Sequence, residues 1–147
     1  FNRVEFAHSR GVILRDIKPE NSAMGVRDMS HIVYLFDFGL AKLYVDPSTG
    51  EHIPYRECHV ALGVFELQSE QGRRDDLEAL GNFLLYLLHS CLPWQKIYAP
   101  SKETYLRRMG EMKAESAAFR DLLARSPAEF TTHFDHCRSL KFEEKLN

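Results

Sequence analysis

The sequence predicts a mainly α domain with a few short β-strands. Three observations carry this. Leu77, Leu80, Phe83, Leu84, Leu87 and Leu88 recur at the spacing of a helix with one buried face. Two further stretches, residues 102–125 and 127–140, carry helical pattern, so the second half of the chain reads as helix. The first half breaks instead into short apolar runs separated by Gly, Pro and Asp, none long enough for more than a brief strand. The 147 residues fit one domain with a hydrophobic core.

Taken in order, residues 1–9 read as the end of a helix. Val4, Phe6 and Ala7 are apolar there, and Gly11 stands where a C-terminal cap is expected. Residues 12–14 form a short apolar run suited to a strand. Residues 15–21 are polar, and Pro19 blocks regular structure, so a loop is predicted. Residues 22–25 suit a second short strand, and the β-branched and aromatic run 31–36 a third. Asp46-Pro47-Ser48-Thr49-Gly50 is turn chemistry. Residues 53–72 read as irregular. Asp75 and Asp76 suit a helix N-terminus through capping and the helix dipole, and Pro93 is expected to end that helix. Gly110 is the weak point of the next helical stretch, and Pro127 opens the last one.

The net charge of -2 argues against a nucleic-acid or membrane role, since either usually shows a basic excess. Residues 80–94 are the most apolar stretch. Asn82, His89, Ser90 and Pro93 interrupt it, and it is too short to span a bilayer, so a buried core helix is expected. Three cysteines without close pairs do not make a disulfide framework. Neither Cys58-His59 nor His136-Cys137 has the spacing of zinc ligands. Free thiols and the lack of a visible signal peptide point to a cytoplasmic or nuclear setting. Phe1 opens the chain in place of Met, which reads as a start inside a longer pattern.

The chemistry lies in two acidic motifs, each on a loop beside a short β run. The first is Arg15-Asp16-Ile17-Lys18-Pro19-Glu20-Asn21, and the second is Asp37-Phe38-Gly39. Phosphoryl transfer to a hydroxyl needs a carboxylate near the nucleophile and oxygen ligands for Mg²⁺. Asp16 matches the proton-accepting position, and Asn21 and Asp37 match the magnesium positions. Lys18 lies where it would neutralise charge on the transferred phosphate. Asp-Phe-Gly alone arises by chance, whereas the long loop motif followed by a strand and then Asp-Phe-Gly is specific.

With these motifs in view, the chain resembles the C-terminal lobe of the casein kinase I family of serine/threonine protein kinases. His8-Ser9-Arg10-Gly11-Val12 before the loop is similar to that family, as are Leu40-Ala41-Lys42 and the run from Asp46 through Arg56-Glu57. Arg73-Arg74-Asp75-Asp76-Leu77-Glu78-Ala79-Leu80-Gly81, Leu92-Pro93-Trp94-Gln95 and Cys137-Arg138-Ser139-Leu140-Lys141-Phe142 continue the likeness. It implies a partial kinase domain over residues 1–147, a C-terminal lobe lacking the N-terminal lobe. It implies ATP and Mg²⁺ as cosubstrate and cofactor, and a protein Ser or Thr as acceptor. Asp16 and Lys18 are then catalytic, Lys18, Asn21 and Asp37 bind the nucleotide–metal complex, and Asn21 and Asp37 hold the metal. Asp76 corresponds to a helix aspartate that holds the catalytic-loop backbone in place. Trp94, Leu80 and Phe83 are expected in the core.

The chain also departs from the family. No Gly-rich phosphate loop precedes residue 15, and the lysine and glutamate of an upper lobe have no counterpart. Leu14 stands where kinases usually carry a histidine, and can fill its volume but not make its hydrogen bond. Residues 58–68 replace the family's substrate loop, and Lys96 after Gln95 replaces a glycine at a substrate anion site. Lys145-Leu146 replaces the family's Lys-Pro. Two functions follow: a casein kinase I-like enzyme, with little activity expected of this chain alone, or a pseudokinase fragment that binds a partner protein as a scaffold.

Overall fold

Helix α1 (Asn2–Ser9) ends where Gly11 lets the chain turn. Gly11 adopts φ +75, and its N–H donates to His8 O at 3.0 Å, closing the last turn. The computed structural model describes residues 1–56, 60–62, 65–67 and 70–144. Cys58, His59, Gln68 and the Lys145-Leu146 pair lie outside them.

The strands are short and pair antiparallel in twos. Strand β1 (Val12–Ile13) pairs with β4 (Lys42–Leu43), setting Val12 opposite Leu43. Strand β2 (Ser22–Met24) pairs with β3 (Val33–Leu35), setting Ser22 opposite Leu35 and Met24 opposite Val33. A 3₁₀ turn at Arg27–Met29 closes this hairpin. A Cβ on Gly25 would overlap the Met29 carbonyl, so only glycine fits that close approach. Strands β5 (Val60–Leu62) and β6 (Phe65–Leu67) form a third ladder inside the stretch predicted irregular. Three-residue strands are too brief for a period of two to be readable. The turn at residues 46–50 is as predicted: Gly50, at φ +72, donates its N–H to Asp46 O at 2.8 Å.

The rest is helical. Helix α2 (Arg73–His89) starts with one half of a capping box, the Gly72 N–H donating to Asp75 Oδ2 at 2.7 Å. It stops at His89, short of Pro93. Ser90 takes φ 59 and ends it, and Pro93 instead opens a 3₁₀ turn, Pro93–Lys96. Residues 102–125 form two helices, α3 (Lys102–Glu115) and α4 (Ala117–Ala124). The break falls at Ser116 and not at Gly110. Ser116 Oγ accepts from Phe119 N at 3.1 Å and donates to Met112 O at 2.8 Å, so one hydroxyl serves the end of α3 and the start of α4. Helix α5 (Ala128–Ser139) follows Pro127 as expected.

Two units form along the chain: Phe1–Leu80 with Cys137–Asn147, and Gly81–His136. In the first, Val4, Ile13, Leu14, Ile17, Tyr44 and Leu140 are buried. In the second, Leu85, Leu92, Trp94, Phe119, Leu122 and Phe134 form one cluster. The Phe119 and Phe134 rings meet edge-to-face with centroids 5.0 Å apart, and Trp94 lies 5.9 Å from Phe119. Leu80, Phe83 and Trp94 are buried as predicted. Leu87 and Leu88 are more than half exposed, so the predicted apolar stripe does not reach the end of α2. Among the described residues, no helix is long and apolar enough to cross a membrane.

Two predictions follow from this packing. A Cβ at Gly81 would stand 2.8–2.9 Å from the His133 and Phe134 rings. Gly81→Ala is expected to cost about 1–3 kcal/mol of stability, read as a lower urea midpoint at unchanged slope. Cys137 is buried, and that burial, aided by the Glu78 charge, pushes its thiol from 9.0 to about 11. The neutral thiol is therefore the form the fold favours, and its contribution to stability is lost as pH rises from about 9 through 11. In the folded protein at pH 8, alkylation mapped by mass spectrometry should reach half-buried Cys91 before Cys137, and Cys137 only after denaturation.

Candidate functional site

The two motifs lie far apart in sequence, and the β2–β3 register brings them together. The loop at residues 15–21 leads directly into β2, and Asp37 follows β3 by two residues. Extending the ladder one pair beyond Ser22 and Leu35 sets Asn21 opposite Phe36, and Phe36 N donates to Asn21 O at 3.1 Å. Asp16, Asn21 and Asp37 consequently line one small cleft, with Leu14, Ile17 and Phe38 among its walls. Lys18 joins this group through Asp16.

Within the loop, Asp16 is the hub. Its Oδ2 accepts from Lys18 Nζ at 2.7 Å and from Asn21 Nδ2 at 2.8 Å. Asn21 Nδ2 also donates to Asp16 O at 3.1 Å, pinning the six residues from Asp16 to Asn21 across their ends. The 3₁₀ turn Pro19–Asn21 supplies the bend, with Pro19 at its first position where no N–H is needed. Asp16 itself lines the cleft. Asn21 is buried, and with its Nδ2 spent on Asp16 it keeps Oδ1 for another donor or a cation.

Both motifs contain a residue in the left-handed region: Arg15 at φ 65 and Asp37 at φ 62. Each such position costs about 1–3 kcal/mol and persists only where neighbours hold it. For Asp37 the restraint is local, since its Oδ1 accepts from Gly39 N at 3.1 Å. For Arg15 it is tertiary. Arg15 N donates to Asp76 Oδ1 at 2.8 Å, and Arg15 Nε donates to Leu40 O at 2.5 Å. The second bond ties the 15–21 loop to the chain just past Asp37-Phe38-Gly39.

Asp76 is 2 % exposed and takes three donors. Besides Arg15 N, its Oδ2 accepts from Leu14 N at 2.7 Å and pairs with His8 Nε2 at 2.8 Å. Asp76 is thus no helix cap. The neighbouring Asp75 performs that task, while Asp76 holds the backbone entering the loop, the role expected for it from family resemblance. The sequence assigns His8 no role of its own. A buried histidine at the end of α1 finds its partner 68 residues later, a pairing that local pattern does not encode. Tyr44 is likewise buried, and its hydroxyl donates to His8 O at 2.6 Å. Leu14 is buried, lines the cleft together with Phe36, Asp37 and Phe38, and gives its N–H to Asp76. Gln95 Oε1 accepts from Leu92 N at 2.7 Å and so caps the 3₁₀ turn Pro93–Lys96.

Among the described residues, no group of three or more His, Cys, Asp or Glu side chains is placed to hold a metal ion. The oxygens of Asn21 and Asp37 are a different kind of set. One carboxamide oxygen and one carboxylate oxygen on the same cleft fit a hard cation that keeps waters and phosphate oxygens as its remaining ligands, which is the habit of Mg²⁺. No protein-family model matches the chain.

Asp76→Ala would leave the Leu14 and Arg15 amides and His8 Nε2 without their acceptor in a buried setting. The expected loss is about 3–5 kcal/mol, measured by urea denaturation, with Asp76→Asn losing less because one carbonyl oxygen remains.

Proposed function

We propose that residues 15–39 form the catalytic-loop side of a phosphotransfer site of the protein-kinase type, acting on ATP and a protein serine or threonine. More narrowly, we read the chain as casein kinase I-like, on the runs from Asp46 to Arg56 and from Arg73 to Gly81 together with the loop itself. The observation that carries the proposal is the convergence of Asp16, Asn21 and Asp37 on one cleft, with Lys18 bonded to Asp16.

In this reading Asp16 is the group that takes the acceptor hydroxyl's proton on its carboxylate. Lys18, 2.7 Å from that carboxylate, holds it in place and lies close enough to offset negative charge on the phosphate. Asn21 orients Asp16 through Nδ2, and its Oδ1 together with the Asp37 carboxylate would hold the metal. A bound Mg²⁺ would supply charge neutralisation to the phosphates. A protein serine or threonine is the acceptor that the family resemblance implies, and the exposed chain at Phe36, Asp37 and Phe38 beside the cleft is compatible with it.

A binding role for the same lobe is the second reading. Met24, Val26, Met29, Phe36 and Phe38 are all exposed on or beside the β2–β3 hairpin, an apolar surface suited to a partner protein.

Thermal denaturation with and without millimolar Mg-ATP separates the two. The phosphotransfer reading expects a raised melting temperature by mass action, abolished in Asp37→Asn. Asp16→Asn should keep the shift and lose phosphate transfer to a protein acceptor. No shift in the wild-type chain would remove the enzyme reading and leave the binding module.

A further inference from the structure

Residues 140–144 are held against the start of α2 by two adjacent arginines. Arg74 Nη1 donates to Leu140 O at 2.9 Å, and Arg73 Nη2 donates to Glu143 O at 2.9 Å and Glu144 O at 2.8 Å. Phe142 is buried between them in sequence. Its ring meets His52 and Tyr55 edge-to-face, with centroids 5.1 and 5.2 Å away, and covers Gly72 so closely that a Cβ there would stand 3.2 Å from it. Three carbonyls and one ring therefore seat a segment that contains no helix or strand.

Arg73 also faces the other way. Its guanidinium carbon lies 4.7 Å from the Tyr44 ring centroid, and Nη1 is 3.5 Å from Tyr44 Oη. Tyr44 Oη donates to His8 O at 2.6 Å, His8 Nε2 meets Asp76 Oδ2 at 2.8 Å, and Asp76 accepts from Leu14 N and Arg15 N. Asp16 is the next residue. An unbroken series of contacts thus runs from the carbonyls of Glu143 and Glu144 to the backbone of the candidate catalytic loop. The planar guanidinium allows it: one group bonds two carbonyls with one nitrogen while its face lies on an aromatic ring.

We propose that residues 140–144 are a strap that regulates the loop at residues 15–21. With Phe142 seated, Arg73 stays on Tyr44, and the His8–Asp76 pair stays fixed over Leu14 and Arg15. Release of the strap frees Arg73 and loosens the backbone that aims Asp16. The effect on catalysis rests on the phosphotransfer reading. The coupling between strap and loop does not.

The test is native-state amide hydrogen exchange, followed residue by residue without nucleotide, on Phe142→Ala and Arg73→Lys. Lysine keeps the charge but has neither the fork nor the flat face. Both variants should exchange the Leu14 and Arg15 amides at least tenfold faster than wild type. The Gly25 and Ile32 amides, bonded within the β2–β3 hairpin turn, serve as the internal reference and should keep their rates. Leu122→Ala, a core truncation in the other unit, should leave the ratio of the two sets unchanged. Acceleration of Leu14 and Arg15 no greater than that of Gly25 and Ile32 would overturn the proposal, because the strap would then add stability without addressing the loop. Should Phe142→Ala fail to fold, Arg73→Lys carries the same criterion. Because no nucleotide is present, a failed Mg-ATP shift leaves this outcome readable.

Discussion

The Asp76 carboxylate is the constraint on which the rest of the site depends. It is an ionisable group removed from water, a costly placement unless every oxygen is engaged. Here two backbone N–H groups and one imidazole engage it. The three donors come from the end of α1 and from the residues that enter the loop, so one carboxylate on α2 fixes both. Its neighbour Asp75 explains why this residue is available. Consecutive residues on a helix point about 100° apart. Asp75 turns back to cap Gly72, and Asp76 turns sideways into the interior.

Given that clamp, the short ladders complete the site. β1–β4 brings the chain after Asp37-Phe38-Gly39 back beside the strand that precedes the loop. β2–β3 sets Asn21 beside Phe36. Neither ladder is long enough to be stable alone. They persist because their ends are tied by side-chain bonds, Arg15 Nε to Leu40 O and Asn21 Nδ2 to Asp16. The unfavourable backbone of Arg15 is supported from the same sources, which is the expected relation between strain and a functional loop. On the proposed reading, the fold uses this support to keep a proton-accepting carboxylate and two metal-facing oxygens in one place before any substrate arrives.

Where sequence pattern and structure diverge, a side chain or a neighbour overrode the local signal. Pro93 is the strongest helix stop in its region, yet α2 ends at His89 because Ser90 adopts a left-handed turn. Gly110 is the weakest helix former in α3, yet the helix continues through it, and the break comes where the Ser116 hydroxyl can cap both sides. Propensity differences of about 1 kcal/mol for glycine are small beside a satisfied pair of helix ends. The apolar stripe of α2 was legible at Leu80 and Phe83, but its extension to Leu87 and Leu88 was not realised, since spacing shows a face without showing how much of it is covered.

By itself the sequence determined the mainly helical second half, the turn at residues 46–50, the cap at Gly11, and the chemical types at Asp16, Lys18, Asn21 and Asp37. These are local properties: periodicity, turn chemistry and residue identity act over a few neighbours. Only the tertiary structure decided that Asp16, Asn21 and Asp37 share a cleft, that His8 is the partner of Asp76, and that Arg73 links residues 143–144 to Tyr44. The bonds on Asp76 and those from Arg73 to residues 143–144 join residues 61 to 71 positions apart, and Arg73 lies 29 positions from Tyr44. A hydrogen bond is specified by where its two ends meet in space, and at such separations nothing in the spacing of residues along the chain carries that information.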